Sequence, residues 1–118
     1  MSQDAVDLKE VLERVQNDRA LLVELFDIFL SDCPGKITAL KTAVAKKDLT
    51  ALKDVAHSLK GASGNISAKK LFDSFLKIEQ IAKSNDLSAL DGPLSILDSQ
   101  IEELKVFAAK YKDENKTS

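Results

Sequence analysis

The sequence predicts an all-α protein: an antiparallel four-helix bundle with an additional short N-terminal helix. Three observations carry this. Apolar residues recur at three- and four-residue spacing almost throughout, and no stretch alternates with period two. The chain holds 4 Gly, 2 Pro and no Trp, too few turn-formers for a hairpin-rich β fold. Long periodic segments are joined by short connections, which makes successive helices antiparallel neighbours.

The elements follow in order. Leu8, Val11, Leu12 and Val15 mark the short amphipathic helix, ending near Asn17. Asp18 is a cap for the next helix, whose Leu21, Leu22, Leu25, Ile28 and Phe29 form a wide inward stripe. Cys33-Pro34-Gly35 predicts an interruption, with Pro34 in the first turn of a new helix that carries Ile37, Leu40 and Val44 inward. Lys46 and Lys47 close it, where the helix dipole favours cations. Asp48 opens a helix with Leu52, Val55, Leu59, Ala62 and Ile66 inward, and Gly64-Asn65 is its stop. Ser67 starts the following helix, with Leu71, Phe75, Ile78 and Ala82 inward. Residues 84–93 read as a linker with one helical turn at 88–90. Leu94, Leu97, Ile101, Leu104, Ala108 and Tyr111 define the last helix. The expected unit is one domain over residues 1–118, with its core over about 8–112 and a polar, frayed tail over 113–118.

Composition excludes several functions. Seventeen basic and 19 acidic residues give a net charge of −2, without the basic excess of a nucleic-acid or anionic-membrane surface. A solitary Cys33 and a solitary His57 exclude a disulfide framework and any His/Cys metal site of ordinary ligand count, so no metal is expected on this chain. The N-terminal residues lack the basic-then-apolar layout of a signal peptide, and no apolar run approaches the ~18 residues of a membrane span. A cytoplasmic protein, or a cytoplasmic piece of a larger one, is expected. The four glycines do not combine into a phosphate-binding loop ending in Lys-Ser/Thr.

One face carries chemistry. His57, Lys60, Gly61 and Gly64 stand at i, i+3, i+4 and i+7, roughly 160° from the inward stripe of their helix at about 100° per residue. His57 therefore points to solvent. Glycine inside a helix costs about 1 kcal/mol relative to Ala, so Gly61 is a loss with no packing gain on an exposed face. Gly64 is either a C-cap or part of the same bare strip, along which another backbone can approach the imidazole. Lys60 is a solvated charge or, beside the imidazole, a cation that disfavours the protonated ring and can pair with phosphoryl oxygens after a neutral nitrogen has attacked phosphorus.

The run Ala56-His57-Ser58-Leu59-Lys60-Gly61-Ala62-Ser63-Gly64-Asn65-Ile66, with Ala68 and Leu71 after it, resembles the signature of histidine-containing phosphotransfer (HPt) domains. The helix pattern from about Leu8 to Tyr111 is similar to theirs, so the likeness covers nearly the whole chain. It implies that His57 carries a phosphoryl group, that Lys60 stabilises that group, and that Gly61 and Gly64 leave room for a receiver domain. The expected partners are receiver domains of response regulators or hybrid kinases. The receiver supplies Mg²⁺, and this chain is a monomeric phosphocarrier that binds no cofactor and has no independent catalysis. Phosphoryl transfer depends mainly on positioning and charge stabilisation, so presenting a nucleophile suffices.

Two positions depart from the family pattern. Ser67 stands where many members have Gly, and reads as a harmless N-cap. Glu79 stands where Gln is common; it is either a solvated carboxylate or a group that holds the ring's other N–H and sets its tautomer. Phe72 and Leu76 lie at the edge of their helix's inward stripe, continued by Glu79 and Lys83. They either widen the core or form an apolar patch for docking, with Lys53 and Lys69 at its rim. Two other functions compete with the carrier: the phosphoacceptor domain of a chemotaxis-type kinase and a non-catalytic helical adaptor. An ordinary histidine kinase fits less well. Ser58 rather than an acid follows His57, no Pro follows before Pro93, and the length leaves no room for an ATP-binding domain.

Overall fold

The computed structural model describes residues 5–115. Five helices follow one another: α1 Leu8–Arg14, α2 Arg19–Lys46, α3 Leu49–Asn65, α4 Lys69–Ser84 and α5 Asp91–Glu114, with a short 3-10 turn at Leu87–Leu90. Helices α2 to α5 are neighbours in sequence around a four-helix bundle that closes with α5 against α2, while α1 rests on α2. The α3/α4 pair packs most extensively. Aspartates start three helices as the sequence predicts for two of them: the side chains of Asp7, Asp18 and Asp48 accept the N–H groups of Glu10, Leu21 and Ala51. Among the described residues no helix is long and apolar enough to cross a membrane.

The predicted break at Cys33-Pro34-Gly35 does not occur; α2 runs through it for 28 residues. Pro34 removes one backbone hydrogen bond and crowds the preceding turn, at a cost of about 3 kcal/mol. Packing offsets this. Leu22, Phe26, Phe29, Cys33, Ile37, Leu40 and Ala43 stay in phase on one buried stripe across the proline, so a continuous helix buries both halves. The Thr38 hydroxyl donates to the Pro34 carbonyl at 3.0 Å. The stripe is narrower than predicted, because Leu21 and Ile28 face outward, 39 % and 64 % exposed.

The other limits also move. Helix α5 takes in Asp91, Gly92 and Pro93, whose missing N–H has no cost in a first turn, and continues to Glu114 past the predicted start of the tail. Residues 116–118 of that tail lie outside the described residues. The core begins earlier than residue 8, since Val6 is buried.

Ser67 is not an N-cap. It has φ 55°, in the left-handed region, while Ala68 occupies the cap without a side-chain bond. The amides of Ser67 and Ala68 donate back to the Gly64 and Ser63 carbonyls at 3.1 and 2.9 Å, which is the Schellman pattern that ends α3. The Ser67 carbonyl also accepts the Asp7 amide at 2.8 Å, tying the N-terminal segment to this corner. A side chain at such a φ is strained, and the buried Ser67 hydroxyl has no partner. Ser67→Gly is expected to stabilise the fold by about 1 kcal/mol, net of the small space left behind, raising the thermal midpoint by about 4 °C. Calorimetry checks this; a lower midpoint would show the conformation to be relaxed.

Candidate functional site

Helix α3 buries Leu52, Ala56, Leu59 and Ser63, with Ile66 just beyond its end. The buried line is Ala56 and Ser63 in place of the predicted Val55 and Ala62, both half-buried. Its centre is therefore rotated by about 50° from the predicted one, at about 100° per residue. His57 consequently lies on the flank that faces α4 rather than opposite the core. Its side chain is 68 % exposed, so the ring is open to water, while its Nδ1 stands 2.9 Å from Glu79 Oε2.

Glu79 is buried on α4 and is not the solvated carboxylate of the first alternative. Its other oxygen accepts from Lys60 Nζ at 2.7 Å, and Lys83 Nζ lies 3.8 Å from Oε2. The Lys60 hydrogen bond holds the Glu79 carboxyl below its ordinary range against the opposing effect of burial, and the bond from His57 and the charges of Lys60 and Lys83 act in the same direction. An ionised carboxylate only accepts. His57 Nδ1 therefore carries the proton, and in the neutral ring the lone pair sits on Nε2, on the side away from Glu79.

The predicted residues divide accordingly. His57, Lys60, Glu79 and Lys83 form one linked cluster across α3 and α4. Lys60 is not the solvated charge of the first alternative, because its ammonium is paired with the carboxylate that also holds the ring. Gly61 is open: a Cβ there would meet nothing within 4 Å. Gly64 is different, since a Cβ would lie 3.3 Å from the Phe72 ring; it is neither a C-cap nor wholly bare, but the seat of an aromatic side chain from α4. Phe72 and Leu76 are half-buried on the outer α3/α4 seam, between the two predicted alternatives. Lys53 is half-buried one turn before His57. Lys69 is elsewhere, paired with Glu10 of α1.

Two neighbours of this face went unpredicted. Lys36 of α2 donates to the Ser58 hydroxyl at 2.9 Å and pairs with Asp32 at 2.9 Å, which pins α2 to α3 beside His57. Arg14 of α1 donates to the Gly64 carbonyl at 3.1 Å, a cation at the C-terminal end of α3. Neither has a signal in the sequence, because each depends on which helices become neighbours. Cys33 takes no part; it is buried, and burial pushes its thiol up. Among the described residues no His/Cys/Asp/Glu group is arranged to hold a metal ion.

Comparison with known proteins gives three results. The family model described as the Hpt domain matches residues 24–107. The phosphorelay protein LuxU of Vibrio harveyi is 32 % identical over 63 residues, which is 53 % of this chain and 55 % of that protein. The chain thus matches only about half the length of that relative. In structure, the chain is similar to the HPT domain of an Hpt sensor hybrid histidine kinase from Shewanella, with a TM-score of 0.81, 16 % identity, and 96 % of this chain and 97 % of that one covered.

Proposed function

From the fact that this chain belongs to the Hpt domain family, we propose that it is a phosphorelay carrier in which His57 Nε2 accepts a phosphoryl group from the aspartyl phosphate of one receiver domain and passes it to the aspartate of another. One observation supports this above all. The ring is two-thirds exposed yet tethered at Nδ1 to a buried carboxylate, an arrangement that leaves Nε2 as the nucleophile.

The step balances simply. The Nε2 lone pair forms the N–P bond as the acyl phosphate O–P bond breaks, and that electron pair leaves on the donor's carboxylate. The Nδ1 proton stays in place. The phosphorylated ring then bears positive charge, and Glu79, already ionised, faces it. Lys60, one turn along α3 from His57 and held by the same carboxylate, is the cation this reading assigns to the incoming phosphoryl oxygens. On this reading Mg²⁺ is the receiver's contribution, and the carrier works as a cytoplasmic monomer. The kinase phosphoacceptor reading has less support, because the curated relative is itself a phosphorelay protein.

Incubation with a panel of phosphorylated receiver domains from the source organism tests the proposal. Label is expected on this chain in an acid-labile, base-stable form; its absence with every receiver would leave the helical adaptor. Gly61 supplies a sharper check of access. Gly61→Gln fills open space on an exposed helix face, so it should raise stability by about 0.5 kcal/mol through helix propensity while slowing receiver transfer about tenfold or more. Unchanged transfer kinetics would show that no partner backbone approaches there.

A further inference from the structure

Once a phosphoryl group sits on Nε2, the ring has no tautomer left to choose, and Nδ1 is the one ring nitrogen that still titrates. Its proton decides how the group can leave. With Nδ1 protonated, the N–P bond breaks, its electron pair returns to Nε2, and a neutral imidazole is released as the acceptor oxygen bonds to phosphorus. With Nδ1 bare, the same pair has to leave on an anionic imidazolate, a far poorer leaving group. The pH range over which a charged ring gives its phosphoryl group away is therefore set by what faces Nδ1.

Three helices contribute charge there. From α4, the buried Glu79 places Oε2 2.9 Å from Nδ1, and Lys83 Nζ lies 3.8 Å from the same oxygen but is exposed and screened by water. From α3 come Lys60, bonded to the other oxygen of Glu79, and Lys53 and Asp54 in the turn before the ring. From α2 come Lys36 and Asp32, which pair with each other at 2.9 Å. A buried carboxylate in direct hydrogen-bond contact outweighs cations that are a turn away, exposed or already paired. We infer that Glu79 keeps Nδ1 of the phosphorylated ring protonated well above neutral pH, so that this chain remains a competent phosphoryl donor where phosphohistidine in an unfolded chain has already lost that proton. The inference rests on the phosphocarrier reading and deepens it, from the acceptance of the group to its release. The carboxyl of Glu79 lies below its ordinary value of 4.5, so the anion is in place throughout the range in which the ring titrates.

The test charges the full chain with phosphoramidate, which needs no receiver, and titrates the Nε2-phosphorylated ring by ¹⁵N and ³¹P NMR. The folded parent is expected to lose its Nδ1 proton about 1 to 2 pH units above the same charged chain unfolded in urea. Glu79→Gln keeps the shape and removes the charge, and should titrate close to the unfolded reference. Discharge to an unphosphorylated receiver should follow: the ratio of parent to variant rate is expected to grow about five- to tenfold between about pH 6 and about pH 8, as the variant's ring loses its proton first. Taking the ratio cancels the receiver's own pH dependence. Equal midpoints for the folded and unfolded parent would overturn the inference, whether or not the variant folds, and so would a rate ratio that does not change with pH. A parent that titrates high yet discharges to no receiver would overturn the carrier reading, and the donor role with it, while the shifted midpoint would show that the proton is not at fault.

Discussion

His57→Gln is expected to abolish phosphoryl acceptance completely while shifting the thermal midpoint by no more than about 2 °C. The two halves of that result come from different parts of the geometry. Loss of acceptance follows because the amide nitrogen of Gln has no lone pair available for attack on phosphorus, and no second imidazole exists in the chain. Retained stability follows because the ring is 68 % exposed and belongs to no core cluster, so its removal leaves no cavity. The Gln side chain still offers an N–H toward Glu79. Autoradiography after incubation with a phosphorylated receiver gives the first half and a melting curve the second. Residual labelling would place the acceptor on another residue, and a fall of several degrees would show that the ring is packed rather than presented.

What the sequence reveals about this site, and what it hides, divides along a physical line. Periodicity reports which residues one helix turns inward, and it predicts the bundle, the caps at Asp18 and Asp48 and the outward direction of His57. It reports poorly on the edges of each stripe. Val55 and Ala62 are as apolar as true core positions, and including them rotates α3 by enough to hide that His57 faces α4. Ile28 is misplaced for the same reason: an isoleucine beside a stripe of leucine and phenylalanine reads as core unless its neighbour helix is known. Proline chemistry at Pro34 predicts a break, yet tertiary packing in phase on both sides keeps α2 whole. Glu79 shows the limit most plainly. Its spacing on α4 reveals nothing of Lys60 and His57, which lie 19 and 22 residues away in sequence, and only their approach makes a buried carboxylate tolerable.

That dependence sets the second large effect, expected from Glu79→Ala. Removing the carboxylate leaves Lys60, four-fifths buried, without its partner, and should destabilise the fold by about 2 kcal/mol, below the cost of a fully buried pair because the ammonium can turn to water. It also releases Nδ1, and the loss of a hydrogen bond to a charged group should slow receiver transfer about 10- to 100-fold. Glu79→Gln separates tautomer control from mere packing. An amide keeps the shape but can accept from Nδ1–H or donate to a bare Nδ1, so it no longer selects one tautomer. In ¹⁵N NMR the parent should show the Nδ1–H form of the neutral ring, and Glu79→Gln a mixture, with transfer slowed about tenfold. The same variant should change the response to acid. The folded-state pKa of Glu79 lies below its ordinary value of 4.5, so the parent gains stability above that value and loses it as pH falls through the folded pKa. Without a titrating group at this position, the stability of Glu79→Gln should fall less steeply below about pH 4.5. Identical acid limbs in the two proteins, or an unmixed tautomer in the variant, would mean that Glu79 supports the helices but does not set the proton on the ring.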